Sequence, residues 1–499
     1  MRKLTAILLI AIMILVLGSC SGGSVADVSD TSEAAEESSA DQSVAEESEY
    51  ELFSNLTKTD YDDTVTFLVE GDYAGNYKSF EILAHDESPE LISDAVRERN
   101  SLVEEYFGVK IAEVRTASSG ELIIKARADA TTGTQLYDVI CPYVTHAASL
   151  AGEKLLYNLY ELEDIHLDMP YWDQQAVNDL SINNKLYFCV GDANLLALAC
   201  THSITFNKKF VTDGIVEDPY TLVAEGTWTY DKLYELGKKV TADSDGESGM
   251  TSTDTYGFLV NDNFPTSMYL GSGLKLVGKD SKDMPVLQVT SKTSADIVEK
   301  LVNIINDSAC SAQIETFAYD VSRRGKETVW TLATEMVAVG NCLFRADTIG
   351  NVQRQGEYDC SFGILPIPKY TETQEYYYSN VSIVLAPCFC IHIGVQGERL
   401  QMVATILDAI NQASTKTSKY AYYEQLLKGR KIQDLDSEAV LDDIFDHRVY
   451  ELGIVYGWGG VNTIINSVVW SGVNTFSSSL DSIKDAIQQG IDNTTTLIG

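Results

Sequence analysis

Apolar residues along the chain recur with two different periods, and the switches between them mark out the elements. Thr64-Val65-Thr66-Phe67-Leu68-Val69 is an apolar-rich run of strand length. Residues 80–84 follow, and then residues 89–107 place apolar side chains three and four apart, which predicts an amphipathic helix stopped by Gly108. Val109-Lys110-Ile111 reads as the next strand, 121–129 as helix, and Leu136-Tyr137-Asp138-Val139-Ile140 as a strand ended by Pro142. Strands alternating with helices imply an α/β fold: a mostly parallel sheet covered on both faces, with ligand sites beyond the carboxyl ends of the strands. The loops after Val69 and Ile140 are therefore candidate site loops.

The alternation continues. Residues 185–190 and 203–206 read as strands, 228–240 as a helix with Thr229 as N-cap, and Tyr256-Gly257-Phe258-Leu259-Val260 as a strand. Helical patterns cover 297–305 and 329–339, and Cys342-Leu343-Phe344 returns to strand. Pro366 and Pro368 restrict Phe362-Gly363-Ile364-Leu365-Pro366-Ile367-Pro368-Lys369 to an edge or crossing position, because proline cannot donate to a ladder. A long apolar strand is expected over 382–393, with helices over 400–412 and 437–450. No repeat of solenoid period is present.

The first 63 residues follow different rules. Met1-Arg2-Lys3 precedes an apolar run from Leu4 to Leu17, too short for a span of roughly 20 residues and read as an export signal. The run ends in Leu17-Gly18-Ser19-Cys20, which resembles the lipobox of bacterial lipoproteins. That resemblance implies cleavage after Ser19 and acylation of Cys20 with diacylglyceryl and palmitate-like chains, two anchors being needed for durable attachment. Residues 20–61 are rich in Ser, Ala, Glu and Asp and read as a disordered acidic tether. Roughly 40 flexible residues reach about 35 Å, enough to lift a folded body off the headgroups.

Charge then narrows the partners. The 499 residues carry a formal charge of -37, which repels a phosphate backbone and argues against nucleic acid while leaving neutral or cationic ligands open. Beyond Cys20, cysteines 141, 189, 200, 310, 342, 360, 388 and 390 are scattered through apolar stretches without a CxxC pair. They read mostly as buried free thiols, although their even number permits disulfides. Cys388, Cys390 and His392 share one face of an expected strand, where core packing outweighs metal ligation for want of a fourth ligand.

A family pattern is carried by Asp94-Ala95-Val96-Arg97-Glu98-Arg99-Asn100 with Val103-Glu104-Glu105, Tyr137-Asp138-Val139, Tyr171-Trp172-Asp173-Gln174, Gly191-Asp192, Phe206-Asn207-Lys208-Lys209, Trp228-Thr229-Tyr230-Asp231 and Gly363-Ile364-Leu365-Pro366-Ile367-Pro368-Lys369. In this order the chain resembles the extracellular solute-binding proteins of carbohydrate-type ABC importers, in the version common among anaerobic Gram-positive bacteria. It departs from them in Gly340-Asn341-Cys342-Leu343-Phe344 and in its cysteine content. The resemblance implies a two-lobe periplasmic-binding-protein-like fold with crossing hinge strands. Lobe I would comprise 62–198 with 376–430, and lobe II 199–369 with 431–499. It further implies a lipid-anchored monomer on the extracytoplasmic face of the cell membrane. That protein would hold a small carbohydrate between its lobes for ABC permease subunits and would need neither cofactor nor metal.

A sugar offers apolar C–H faces and a belt of hydroxyls, so its site needs aromatic platforms edged by planar hydrogen-bonding groups. Loop position selects Tyr143 and His146 after the Ile140 strand, Asp192 after Val190, Asn261 and Asn263 after Val260, and Arg345 after Phe344. Tyr378, from the run Tyr376-Tyr377-Tyr378, and Trp458, flanked by Gly457, Gly459 and Gly460, complete the set. Two alternatives stay open at this stage: a lipid-anchored glycan hydrolase, or a receptor for a peptide or other small polar solute. Against the first, the chain has no GxSxG elbow, HExxH helix or phosphate loop, and its strand order does not suggest an eightfold barrel.

Overall fold

The computed structural model describes residues 52–71, 77–246, 250–431 and 435–498. The export segment, Cys20 and the acidic stretch through Glu51 lie outside the described residues. The last part of the expected tether does not behave as one. Leu52, Phe53 and Leu56 are buried, with the Phe53 ring 4.9 Å from Tyr106 and 5.4 Å from Phe107. Asn55 is held from both sides, donating to Tyr171 Oη and accepting from Gln412. Three apolar side chains within one helical turn supply enough buried surface to dock the segment, so the tether ends before Leu52.

Among the described residues thirteen strands form two main sheets and two small ones. In chain order they are β1 (Asp63–Val69), β2 (Val109–Arg115), β3 (Val139–Cys141), β4 (His202–Asn207), β5 (Tyr256–Val260), β6 (Val277–Lys279), β7 (Pro285–Leu287), β8 (Ser311–Gln313), β9 (Cys342–Thr348), β10 (Phe362–Leu365), β11 (Ser379–Asn380), β12 (Cys390–Ile391) and β13 (Arg448–Val449). The first sheet has the order β12-β3-β1-β2, with β1 parallel to both β2 and β3. Only β12 runs against them. Val65, Phe67 and Leu68 of β1 are wholly buried, as a strand covered on both faces requires. The covering helix Glu90–Phe107 buries Ile92, Ala95, Val96, Arg99, Val103 and Phe107 along one stripe. It stops at Gly108, where φ is 61° and a Cβ would stand 1.8 Å from Asp60 Oδ1, so only glycine fits.

The second sheet has the order β10-β4-β9-β5-β8. Strands β9, β5 and β8 run parallel, β4 runs against β9, and the proline-bearing segment forms the edge strand β10 as expected. Strands β1 to β3 with β12 thus build one sheet, and β4, β5, β8, β9 and β10 the other.

The chain crosses between the sheets around residues 194–202 and again through 366–381. Where it crosses, β11 pairs in parallel with β13, Thr201 bridges Val381, and Ser382 N–H donates to Cys200 O at 2.9 Å. These are the crossing strands. A second tie runs through the β6–β7 hairpin: Asp283 accepts from Ser181 Oγ and from the backbone N–H groups of Asn183 and Asn184, at 2.9–3.0 Å. The C-terminal helices Ile464–Ser471 and Phe476–Ile498 pack beside Lys292–Ile305 of the second sheet's layer. Leu452–Tyr456 also rests on Val144–Gly152 of the first, so the tail touches both halves.

Two expected strands are replaced by other structure. Residues 185–190 form isolated bridges after a tight turn in which Asn183 and Asn184 take φ values of 54° and 56°, a conformation asparagine tolerates and which ends a ladder. The run 382–393 is broken by a turn in which Leu385 and Ala386 N–H both donate to Ser382 O, leaving only β12 as strand. All eight cysteines after Cys20 are free thiols, seven of them buried. Cys388 and Cys390 point their thiols at Pro142 O and Ile140 O, and His392 Nε2 meets Ala126 O at 3.2 Å. That trio is core.

Candidate functional site

The carboxyl end of β1 is built as a knot. Val69 is followed by Glu70, whose N–H donates to Cys141 O at 3.2 Å. Its Oε1 accepts from Gly120 N–H at 2.6 Å, and its Oε2 lies 2.9 Å from His146 Nδ1. Gly71 N–H donates to Thr116 Oγ1 at 2.7 Å, and Gly71 O accepts from Tyr143 Oη at 3.1 Å. The loops after β1, β2 and β3 are thereby fused into one edge. A Cβ on Gly71 would stand 2.6 Å from Thr116 O and Ser118 N, which explains the glycine. Glu70 and Tyr143 are buried, while the His146 side chain keeps 27% of its surface. An ionised Glu70 only accepts, so Nδ1 carries the ring proton and His146 presents Nε2 outward.

The opposing edge is where β5 and β9 end and β4 begins. Asn261 is buried, its Oδ1 accepting from Asn263 N–H at 3.1 Å, and the exposed Asn263 donates its amide to Asp262. Trp470 Nε1 donates to Asp262 O at 2.7 Å and fixes the same loop from the C-terminal region. His202 stacks on Phe264 with ring centres 5.7 Å apart and has Nδ1 3.0 Å from Ser267 Oγ. Burial presses its pKa down to about 4, so it is neutral at pH 7. Tyr77, after β1, joins the edges: its Oη lies 2.8 Å from Thr348 Oγ1 at the end of β9 and accepts from Asn351 Nδ2 at 3.4 Å. Burial pushes the Tyr77 phenol well above the usual tyrosine range. The groups gathered here are imidazoles, amides, hydroxyls and aromatic rings, which exchange hydrogen bonds with polar neutral molecules.

Of the eight residues selected from the sequence, the structure therefore brings Tyr143 and His146 to one edge and Asn261 and Asn263 to the other. The remaining four lie elsewhere. Asp192 is buried and holds Lys419 Nζ and Thr415 Oγ1, both at 2.7 Å, as a tie between fold elements. Arg345 is wholly buried inside the second lobe, bonded to Thr334 Oγ1 at 2.6 Å and 3.2 Å from Asp347 Oδ2. Trp458 stacks on Tyr456 at 4.9 Å and donates to Thr494 Oγ1 at 2.8 Å. Its neighbouring glycines bring it close to the terminal helix: a Cβ on Gly459 would stand 2.5 Å from Ile487 N. Tyr378 lies half-buried over Gly273 on the crossing segment.

Sequence reasoning missed Glu70, Tyr77, His202 and Thr348. For Glu70 the signal existed, as a carboxylate directly following the apolar end of a strand, Phe67-Leu68-Val69. Tyr77 lies in a stretch without periodicity, and His202 and Thr348 are placed only by the pairing of β4 with β9. Among the described residues, Asp243, Asp245 and Asp254 bring carboxylate oxygens within 4.8 Å of one another, but they sit on a second-lobe loop away from both edges. Asp254 already accepts there from Ser244 and Thr251 N–H.

Comparison with known proteins places the fold. No family model matches the chain, and no curated protein matches it in sequence. Solved structures do match. UgpB from Mycobacterium tuberculosis in complex with glycerophosphocholine is 14% identical, with a TM-score of 0.54 over 86% of this chain and 98% of its own. The maltose-binding protein MalE from Listeria monocytogenes in complex with maltose is 16% identical, with a TM-score of 0.53 over 87% and 98%. The maltose/maltodextrin-binding domain MalE from Bdellovibrio bacteriovorus bound to maltotriose is 13% identical, with a TM-score of 0.52 over 87% and 99%. The fold is that of the two-lobe periplasmic binding proteins.

Proposed function

We propose that this chain captures a small neutral solute, a sugar or oligosaccharide, between its two lobes and delivers it to an ABC importer without altering it chemically. The observation that supports this reading is a pair of strand-end edges on the two sheets, His146 with Tyr143 at one and Asn261 with His202 at the other, linked by the Tyr77–Thr348 hydrogen bond; sheets joined by crossing strands in this way suit hinge motion. A solute that contacts both edges only when they approach shifts the lobes toward closure, and closure is the signal an importer can recognise. The structurally similar proteins bound to maltose, maltotriose and glycerophosphocholine support this choice of solute class. Acyl chains on Cys20 would hold the protein at the outer face of the membrane. Among the described residues no helix is long and apolar enough to cross a membrane.

The test is a thermal-shift screen of maltose, maltotriose, other oligosaccharides and glycerophosphocholine, followed by calorimetric titration of the best. A ligand at a hundred times its dissociation constant stabilises the folded state by about 2.7 kcal/mol. Saturable binding with the sugar recovered intact supports the proposal. Cleavage of the oligosaccharide, or binding confined to peptides, rejects it.

A further inference from the structure

A cavity of about 430 Å³ opens away from the two strand-end edges, between the crossing segment around Lys369–Tyr377, the helix Pro219–Ala224 and the helix Leu435–Asp446. Lys369 belongs to it and is only 5% exposed. Its backbone is clamped by Trp228 and Tyr230, with Lys369 N–H donating to Trp228 O and Tyr230 N–H donating to Lys369 O. Its ammonium lies 4.5 Å from the centre of the Tyr377 ring, and among the described residues it makes no hydrogen bond or ion pair. Gly226, which lines the same cavity, takes a φ of 74°, a conformation that favours glycine. The Lys369 ammonium thus faces the cavity with an aromatic ring beside it and the Asp443 charge acting on it through space, and a ligand anion would add the hydrogen bonds it lacks.

The helix Leu435–Asp446 brings the complementary charge to the same cavity. Asp443 uses Oδ1 on His447 at 3.1 Å, but its Oδ2 is buried and has no hydrogen-bond partner. Burial pushes Lys369 below and Asp443 above their ordinary values, the attraction between the two charges opposing both shifts without cancelling them. Glu225, Glu375 and Asp436 add negative charge at the walls, while Tyr220, Val223 and Val440 supply apolar surface. A simple anion would meet Lys369 but be repelled by four carboxylates. A simple cation would be repelled by the lysine. A molecule with both charges satisfies both groups.

We propose that this crevice is a second binding site, distinct from the interlobar edges, for a small zwitterion of the amino-acid class whose carboxylate pairs with Lys369 and whose ammonium pairs with Asp443. Its volume lies in the range of small-molecule sites and holds an amino acid with an aliphatic side chain. Charge-assisted hydrogen bonds at both ends would give it orientation as well as affinity.

The test is calorimetric titration of the full chain with L-valine and with 5-aminopentanoate, whose charges are farther apart. Isovalerate, lacking the ammonium, and isobutylamine, lacking the carboxylate, serve as controls. The expected result is saturable binding of at least one zwitterion, with both controls weaker by about tenfold or more. Lys369→Met keeps the aliphatic stem and removes the charge, and it should weaken zwitterion binding by about tenfold. Asp443→Asn, at a half-exposed position that tolerates the change, should weaken it likewise and decides the matter alone if the lysine variant does not fold. The proposal is overturned if neither zwitterion binds saturably, if a singly charged control binds as well, or if folded variants retain wild-type affinity.

Discussion

Glu81 offers the sharpest check on how the first sheet is joined to the crossing. It is 1% exposed, with Oε1 accepting from Leu196 N–H at 2.6 Å and Oε2 near Ser79 Oγ at 3.2 Å and Asn194 Nδ2 at 3.4 Å. Burial raises its pKa from 4.5 to about 7, the hydrogen bonds from Leu196, Asn194 and Ser79 opposing the rise. The folded state therefore binds a proton more readily than the unfolded state. Its contribution to stability is fully present below pH 4.5 and is lost as pH rises through about 7. The difference of 2.5 units (7 minus 4.5), at about 1.36 kcal/mol each, corresponds to about 3 kcal/mol. Glu81→Gln imitates the protonated carboxyl and removes the titration. Urea unfolding of both proteins from pH 4.5 to 8 should show the variant gaining about 3 kcal/mol on the wild type, most of it between pH 5 and 7. Comparing the pair cancels the other groups that titrate in this window. They include Glu451, also raised to about 7, the buried Asp192 and Asp347, also raised, and His202, lowered to about 4 and acting with the opposite sign. Parallel stability curves for variant and wild type would refute the reasoning.

Three further outcomes are expected. Asp408 is wholly buried and accepts from Tyr171 Oη, Trp172 Nε1 and the backbone and ring of His166 at 2.6–3.1 Å, so Asp408→Ala should cost about 3–5 kcal/mol in urea unfolding; a loss under about 1 kcal/mol would contradict the network. His146→Ala should weaken binding of the best sugar by about tenfold in calorimetry, whereas Asp192→Asn should leave it within about twofold, and the reverse ordering would move the site. Cys20→Ala should abolish incorporation of labelled palmitate and shift the protein from the membrane fraction to the medium, and retention in the membrane would exclude acylation as the anchor.

Much of the fold was legible because its ties are local and chemically specific. The stripe that predicted a helix over 89–107 is the stripe that packs, and Thr229 caps the next lobe's helix by accepting from Lys232 N–H. What failed were apolar runs whose backbone turns, 185–190 and 382–393, since a buried turn and a buried strand have the same hydrophobicity. The motifs behind the family resemblance prove to be fastenings. Arg99 and Asn100 hold Glu81 O and Ile82 O, and Asp138 takes a bidentate grip from Arg399. Tyr171 and Trp172 close on Asp408, and Trp228 Nε1 donates to Pro366 O.

That division explains why half of the chosen site residues missed the edges. A fastening residue must satisfy one buried partner at one distance, so its type is tightly constrained and conspicuous in a sequence. A residue that meets a solute sits on a loop whose position is set by strand pairing between distant segments. His202 reaches its edge only because β4 runs against β9 and puts it opposite Thr348. Asp192, Arg345 and Trp458 are conspicuous for the first reason, since each is buried and bonded within the fold. Polar or aromatic residues beside a strand end are therefore weak evidence of a site until their hydrogen bonds are counted. Asp192 and Trp458 spend theirs on the fold and Arg345 spends all but its Nε there, whereas His146, tethered through one ring nitrogen, makes no hydrogen bond through the other among the described residues.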